Sequence, residues 1–168
     1  MHSIAAVGGQ LEAGSALAQR ARDLGLACQF ASRLPGHAQM ALGSFVPMLI
    51  SAQQVGQLKV YMNGYGECMG YVAWALLTPD VEREFIAGKP RELAEWEFSD
   101  GASAWILDLA VAQGSLPYVL EDLRDVVFRE HRQLTYFRVK GGRRMCKRIS
   151  RDDRTSFMAA VRGQGPRP

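Results

Sequence analysis

Cysteine is scarce: Cys28, Cys68 and Cys146 are the only three in 168 residues. They form neither an even disulfide set nor a C-x-x-C pair, and no His or Cys stands at zinc-ligand spacing beside them. A disulfide framework and a structural zinc site therefore have no support, and a reduced, cytoplasmic setting is expected. Long apolar runs are also missing. The longest uncharged stretch, Leu34 to Leu58, has the length of a bilayer span but contains His37, Gln39, Pro47, Gln53, Gln54 and Gln57. A span needs about 20 predominantly apolar residues, so no transmembrane segment is expected. Glu12, Arg20 and Arg22 interrupt the N-terminal region, which lacks the form of a signal peptide. The phosphate loop G-x-x-x-x-G-K-[ST], G-x-G-x-x-G, H-E-x-x-H and G-x-S-x-G do not occur. Their absence removes support for nucleotide hydrolysis, dinucleotide chemistry, zinc proteolysis and a nucleophile-elbow hydrolase.

What is present is an ordinary globular composition, 48% hydrophobic and 22% charged. A chain of this length buries about 70% of its extended surface in one compact domain, and neither a metal nor a disulfide is needed to stabilise it. A single domain over 1–168 is expected, with residues 1–30 as a divergent helical segment and 163–168 as a frayed tail. The net charge of +3 is unevenly spread. Arg138 to Arg154 contains eight basic residues and two acids, a local +6 that leaves the remainder at −3. This asymmetry points to an anionic partner for the C-terminal part.

The apolar spacing predicts a helix over Leu11–Leu24 ended by Gly25, and a second, apolar one over Ala38–Gln54 bent at Pro47. The period then changes. Gln57–Met62 and Cys68–Leu76 read as strands joined by Asn63-Gly64-Tyr65-Gly66, and Thr78 caps a helix opened by Pro79. A strand over Ala104–Ala112, an amphipathic helix over Ser115–Glu130 and a hairpin around Gly141-Gly142 follow, ahead of a short C-terminal helix. Hairpins require antiparallel pairs, so the expected class is α/β (α+β), with a mixed, largely antiparallel central sheet flanked by helices.

Two residues stand out chemically. Asp108 lies in the near-continuous apolar run Ala104 to Val111, where a carboxylate is costly unless paired or hydrogen-bonded. A structural carboxylate and a functional one explain this equally well. His37 follows Pro35-Gly36 and opens the apolar helix, whose positive end favours a neutral ring able to accept a proton. A helix-terminal His without chemical duty is the plainer alternative. Gln113-Gly114-Ser115 joins the Asp108 strand to a helix, where backbone amides can receive a phosphate. Trp74 and Trp105 sit in strands, where burial is the default.

His37 before an apolar helix, Gly70-Tyr-Val-Ala-Trp-Ala75, Trp96-Glu-Phe-Ser-Asp-Gly101 and Trp105-Ile-Leu-Asp-Leu-Ala-Val-Ala-Gln-Gly114 together resemble the toxin-activating lysine acyltransferases, the hemolysin-activating proteins encoded with RTX toxins. The resemblance runs from about His37 to Gly142. It implies a GNAT-like acyltransferase fold and a cytoplasmic enzyme that moves a fatty acyl group from acyl carrier protein to internal lysines of a protoxin. The family's essential His and Asp fall on His37 and Asp108.

On that reading His37 and Asp108 are the catalytic pair. Leu42 and Phe45 of the apolar helix, with Gln113, Gly114 and Ser115, hold the acyl donor, and Arg143, Arg144, Lys147 and Arg148 dock the acidic carrier protein. No metal and no tightly bound cofactor is expected; the acyl-carrier thioester is a co-substrate. The acceptor is a protein or peptide lysine, and a homodimer stays open. Two other classes compete: a small-molecule N-acyltransferase using acyl coenzyme A, and a nucleic-acid-binding module using the basic hairpin. The latter has only Tyr136 and Phe137 as interleaved aromatics.

Overall fold

The computed structural model describes residues 4–38, 40, 42–88 and 92–159, without the side chains of residues 4–13 and 140. Its elements in chain order are α1 (Ile4–Ser32), α2 (Leu42–Gln54), β1 (Leu58–Met62), β2 (Cys68–Leu77), α3 (Pro79–Ile86), a 3-10 turn (Glu95–Phe98), β3 (Ser103–Val111), α4 (Leu116–Asp122), β4 (Gln133–Lys140) and β5 (Arg143–Ser150). A π-helical turn, Leu123–Val127, extends α4.

The five strands form one open sheet in sequential order. β1–β2, β2–β3 and β4–β5 are antiparallel, whereas β3 and β4 run parallel. That parallel register covers only Trp105–Thr135 and Ile106–Tyr136, and beyond it the two strands part. Helices cover both faces. On one, α1, α2 and α3 enclose Phe30, Phe45, Leu49, Tyr71, Phe98 and Trp105; on the other, α4 encloses Val72, Ile106, Val119, Leu123 and Leu134. Each such side chain removed from water contributes about 1.5–3 kcal/mol, which explains why β2 and β3 read as continuous apolar runs. The architecture is α+β and GNAT-like, as expected.

Three expectations need correction. α1 does not stop at Gly25 but continues to Ser32. An interior Gly costs about 1 kcal/mol, and burial of Ala27, Phe30 and Ala31 in the next two turns outweighs it. α2 begins at Leu42 rather than Ala38, so His37 lies in the preceding turn and not at a helix end. Residues 151–159 form turns where a short helix was expected; the 163–168 tail lies outside the described residues.

The motif residues that are not chemical turn out to be architectural. Trp105 is fully buried, and its indole N–H donates to Glu82 at 3.0 Å. Phe98 is buried beneath the 3-10 turn, whereas Trp96 is exposed. Gly101 donates its N–H to the Leu76 carbonyl at 2.8 Å, and a Cβ there would overlap the Leu77 carbonyl group. Backbone cannot yield as a side chain tip can. Gly101→Ala is therefore expected to cost about 3 kcal/mol. In thermal denaturation this is a fall in Tm of roughly 6–12 °C.

Candidate active site

β2 and β3 fall out of register between Ala73/Asp108 and Trp74/Ile106, which leaves Leu107 as an extra residue on β3. A bulge of this kind turns the strand and re-aims the next side chain. Simple alternation would put Asp108 on the α4 face with Ile106. The bulge instead aligns it with Ala73, on the face covered by α1 and α2.

There Asp108 meets His37, 71 positions away. The imidazole Nε2 lies 2.9 Å from Asp108 Oδ1 and 3.1 Å from Oδ2. Both side chains are mostly covered, at 18% and 14% exposure. A carboxylate only accepts hydrogen bonds, so Nε2 carries the hydrogen and the lone pair sits on Nδ1. The His37 ring stands edge-on to Phe45, centroids 6.0 Å apart. Asp108 thus sets the tautomer of His37, and the helix terminus that was expected beside the ring starts five residues further on, at Leu42.

A third residue completes the arrangement. The Tyr71 hydroxyl donates to Asp108 Oδ2 at 2.5 Å. Burial, and then the Asp108 charge, push the Tyr71 phenol far above its usual range. It therefore stays protonated and acts as a fixed donor. Sequence reasoning gave Tyr71 no role, although a signal existed. A Tyr in a covered strand needs a partner for its hydroxyl, and Asp108 was the covered carboxylate in need of a donor.

The other residues singled out are spread around this pair. Phe45 is buried beside His37, while Leu42 points to solvent at 75% exposure. Gln113 and Gly114 are exposed in the turn after β3, and Ser115 precedes the first residue of α4. On β5 the four cations alternate. Arg148 pairs with Glu82 at 2.8 Å, and the Arg144 guanidinium lies 3.6 Å from the Phe137 ring centre, both on the α3 side. Arg143 and Lys147 share the opposite face with Tyr136 and Arg138. No thiol competes as an activated nucleophile, because burial pushes Cys28, Cys68 and Cys146 above the usual thiol range. Among the described residues no cluster of three or more His, Cys, Asp or Glu could hold a metal, and no helix is long and apolar enough to cross a membrane.

The family description that matches is HlyC, the RTX toxin acyltransferase family, and the match covers residues 18–152. The chain belongs to this family. The RTX toxin acyltransferase match takes in α1 from Ala18 onward, all five strands and both His37 and Asp108, so it extends the resemblance read from sequence at both ends. Family membership makes the protein an acyltransferase that acts on RTX toxins. No curated protein matches the chain.

Proposed function

We propose that the protein transfers a fatty acyl group from the thioester of acyl carrier protein to the ε-amino group of internal lysines of an RTX protoxin, with His37 and Asp108 as the catalytic pair. The observation that carries this reading is the Nε2–Oδ1 hydrogen bond at 2.9 Å, located where β3 and β4 part. A lysine amine, with an ordinary pKa of about 10.4, is protonated at neutral pH and cannot attack until it loses a proton. The ammonium first gives one proton to water. As the amine nitrogen attacks the thioester carbonyl carbon, His37 Nδ1 takes a second proton from it; the C–S bond then breaks, and the imidazolium returns that proton to the departing thiolate. An amide and a free thiol result. Asp108 holds the ring in one tautomer and offsets the imidazolium charge, while Tyr71 holds Asp108.

The test offers the protein three partners separately: acyl-carrier thioester with an RTX protoxin fragment, acyl coenzyme A with the same fragment, and labelled nucleic acid. Acylated lysine, located by mass spectrometry, is expected from the carrier thioester. Equal or better use of coenzyme A would assign the donor otherwise.

The carrier is acidic, and the face of the β4–β5 hairpin bearing Arg138, Arg143 and Lys147 supports docking by long-range attraction. Replacing these three with Gln is expected to lower kcat/KM for carrier-bound donor about tenfold or more at low salt and to flatten its salt dependence. Transfer from a small N-acetylcysteamine thioester should not change. A triple variant with wild-type salt dependence would remove the hairpin from carrier docking.

A further inference from the structure

The sheet is open, so it has two edge strands, and the two are built differently. β1 is five residues long and slips register between Tyr61 and Met62. Short length and a register break are ordinary ways of keeping an edge from pairing with another chain. β5 has neither. It runs eight residues, Arg143–Ser150, against β4 in unbroken register, contains no Pro or Gly, and has its first six residues exposed.

The hairpin fixes which backbone groups of β5 face outward. Gly141 and Gly142, at φ 57° and 74°, make a two-residue turn, which leaves Lys140 and Arg143 as a hydrogen-bonded pair. At the far end the Arg151 N–H donates to the Arg132 carbonyl at 3.0 Å, in the same phase. Odd-numbered residues of β5 therefore bond β4. The N–H and C=O groups of Arg144, Cys146 and Arg148 point away from it, and among the described residues no strand pairs with them.

Charge selects the occupant. β5 carries Arg143, Arg144, Lys147 and Arg148 and no acid. A second copy paired on this edge sets those four cations against the same four, and like charges on neighbouring strands repel. A strand with carboxylates gains where the copy loses. The α3 face offers oriented sites for them: the Arg144 guanidinium is seated over Phe137, and Arg148 is half exposed beside Glu82. The edge also lies level with the reactive pair. Arg138, which pairs with Met145 of β5, stands two residues past the last β3–β4 pair, Ile106–Tyr136, as does Asp108 on β3.

We propose that the outer edge of β5 takes up an extended, acidic segment of the protein acceptor as a sixth strand. Main-chain hydrogen bonds supply the affinity, and alternate acidic side chains supply the specificity. That the partner is the acceptor rests on the acyl-transfer reading above, whereas the open edge and its preference for acid do not. Three strand spacings, roughly 15 Å, separate such a strand from β3, so the reacting lysine lies about five residues beyond the docked segment.

The test uses the wild-type protein and a fluorescein-labelled nonapeptide that alternates Glu with Thr and Val, with a Gln-for-Glu version beside it. By anisotropy the Glu peptide is expected to bind about tenfold or more tighter than the Gln peptide at low salt. With the Glu peptide bound, amide exchange followed by NMR is expected to slow about tenfold or more at Arg144, Cys146 and Arg148. Unchanged exchange at these three, equal affinities, no binding, or tighter binding of a single-stranded oligonucleotide of equal charge overturns the proposal. Cys146→Pro removes one outward N–H and no charge. It is expected to raise KM for the protoxin fragment about fivefold or more, with KM for carrier-bound donor unchanged. A shift in donor KM instead, or in neither, overturns the assignment to the acceptor. Should wild-type protein fail to acylate the fragment while the peptide still protects these amides, the transfer reading fails and the edge stands.

Discussion

His37→Ala should lose transfer by a factor of about 10² to 10⁴, the contribution of a positioned acid–base group, while the protein folds as before. His37 sits in a turn outside any helix or strand, and its side chain is not one of the residues that build the two core clusters. Its removal leaves Asp108 still bonded to the Tyr71 hydroxyl. Stability should therefore change by only about 1 kcal/mol, the net worth of one hydrogen bond. Acylation of an RTX protoxin fragment followed by mass spectrometry measures the loss, and circular dichroism with thermal denaturation checks the fold. Transfer within tenfold of wild type would remove His37 from the chemistry. The same experiment separates two routes. If His37 accepts the acyl group before the lysine does, rapid quenching of wild-type protein with donor alone should show an adduct of acyl mass that the variant lacks. If it acts only as a base, neither protein shows one.

The sequence carried much of this site and missed its decisive turn. His37 and Asp108 could be isolated because each breaks a local rule: a ring before an apolar segment, and a carboxylate in a covered strand. The elements around them followed from periods of 3.6 and 2, since burial on each face is a local pattern. The bulge at Leu107 is different. It is set by how β3 pairs with β2, so nothing within Ala104–Val111 announces it, and period-2 counting sends Asp108 to the wrong face. A helix terminus beside His37 was expected, but α2 starts five residues further on, and the group that fixes the tautomer of the ring is a carboxylate 71 positions away.

Charge counting had a similar limit. The +6 segment reads as one patch in sequence, yet strand alternation divides it between two faces. Arg148 is held by Glu82, which also accepts from Ser103 and from the Trp105 indole, and Arg144 covers Phe137. These two arginines hold β5 against α3 and Phe137. The cations that remain for a carrier are those on the α4 face. The motif glycine and tryptophan, Gly101 and Trp105, were legible as a family signature, but their reason is packing: one admits the Leu77 backbone, the other fills the core and satisfies its N–H on Glu82.

Asp108→Asn is the sharper experiment because it changes almost no shape. The amide oxygen of Asn can still accept from Tyr71, and its NH₂ group then faces His37 Nε2 where the carboxylate stood. An amide N–H donates, so Nε2 must become the acceptor and the ring hydrogen moves to Nδ1. In the proposed reaction Nδ1 is the nitrogen whose lone pair takes the lysine proton, and in the variant it no longer has one to offer. The charge that offsets the imidazolium is lost as well. In Ser-His-Asp enzymes the corresponding wrong-tautomer change lowers turnover about 10⁴-fold, and a loss of 10³ to 10⁴ in kcat is expected here. KM for the donor should stay within a few-fold, because Asp108 acts through the His37 ring and Asn has nearly the same shape. Tm should move by only a few degrees, since both hydrogen bonds persist with their sense at His37 reversed. A purely structural carboxylate predicts the opposite pattern, a clear loss of Tm with kcat nearly intact. Asp108→Ala does not separate the two, since it leaves the buried Tyr71 hydroxyl without an acceptor and lowers stability and activity together. The decisive comparison is kcat against Tm for the Asn variant, measured with the same carrier-bound donor and protoxin fragment.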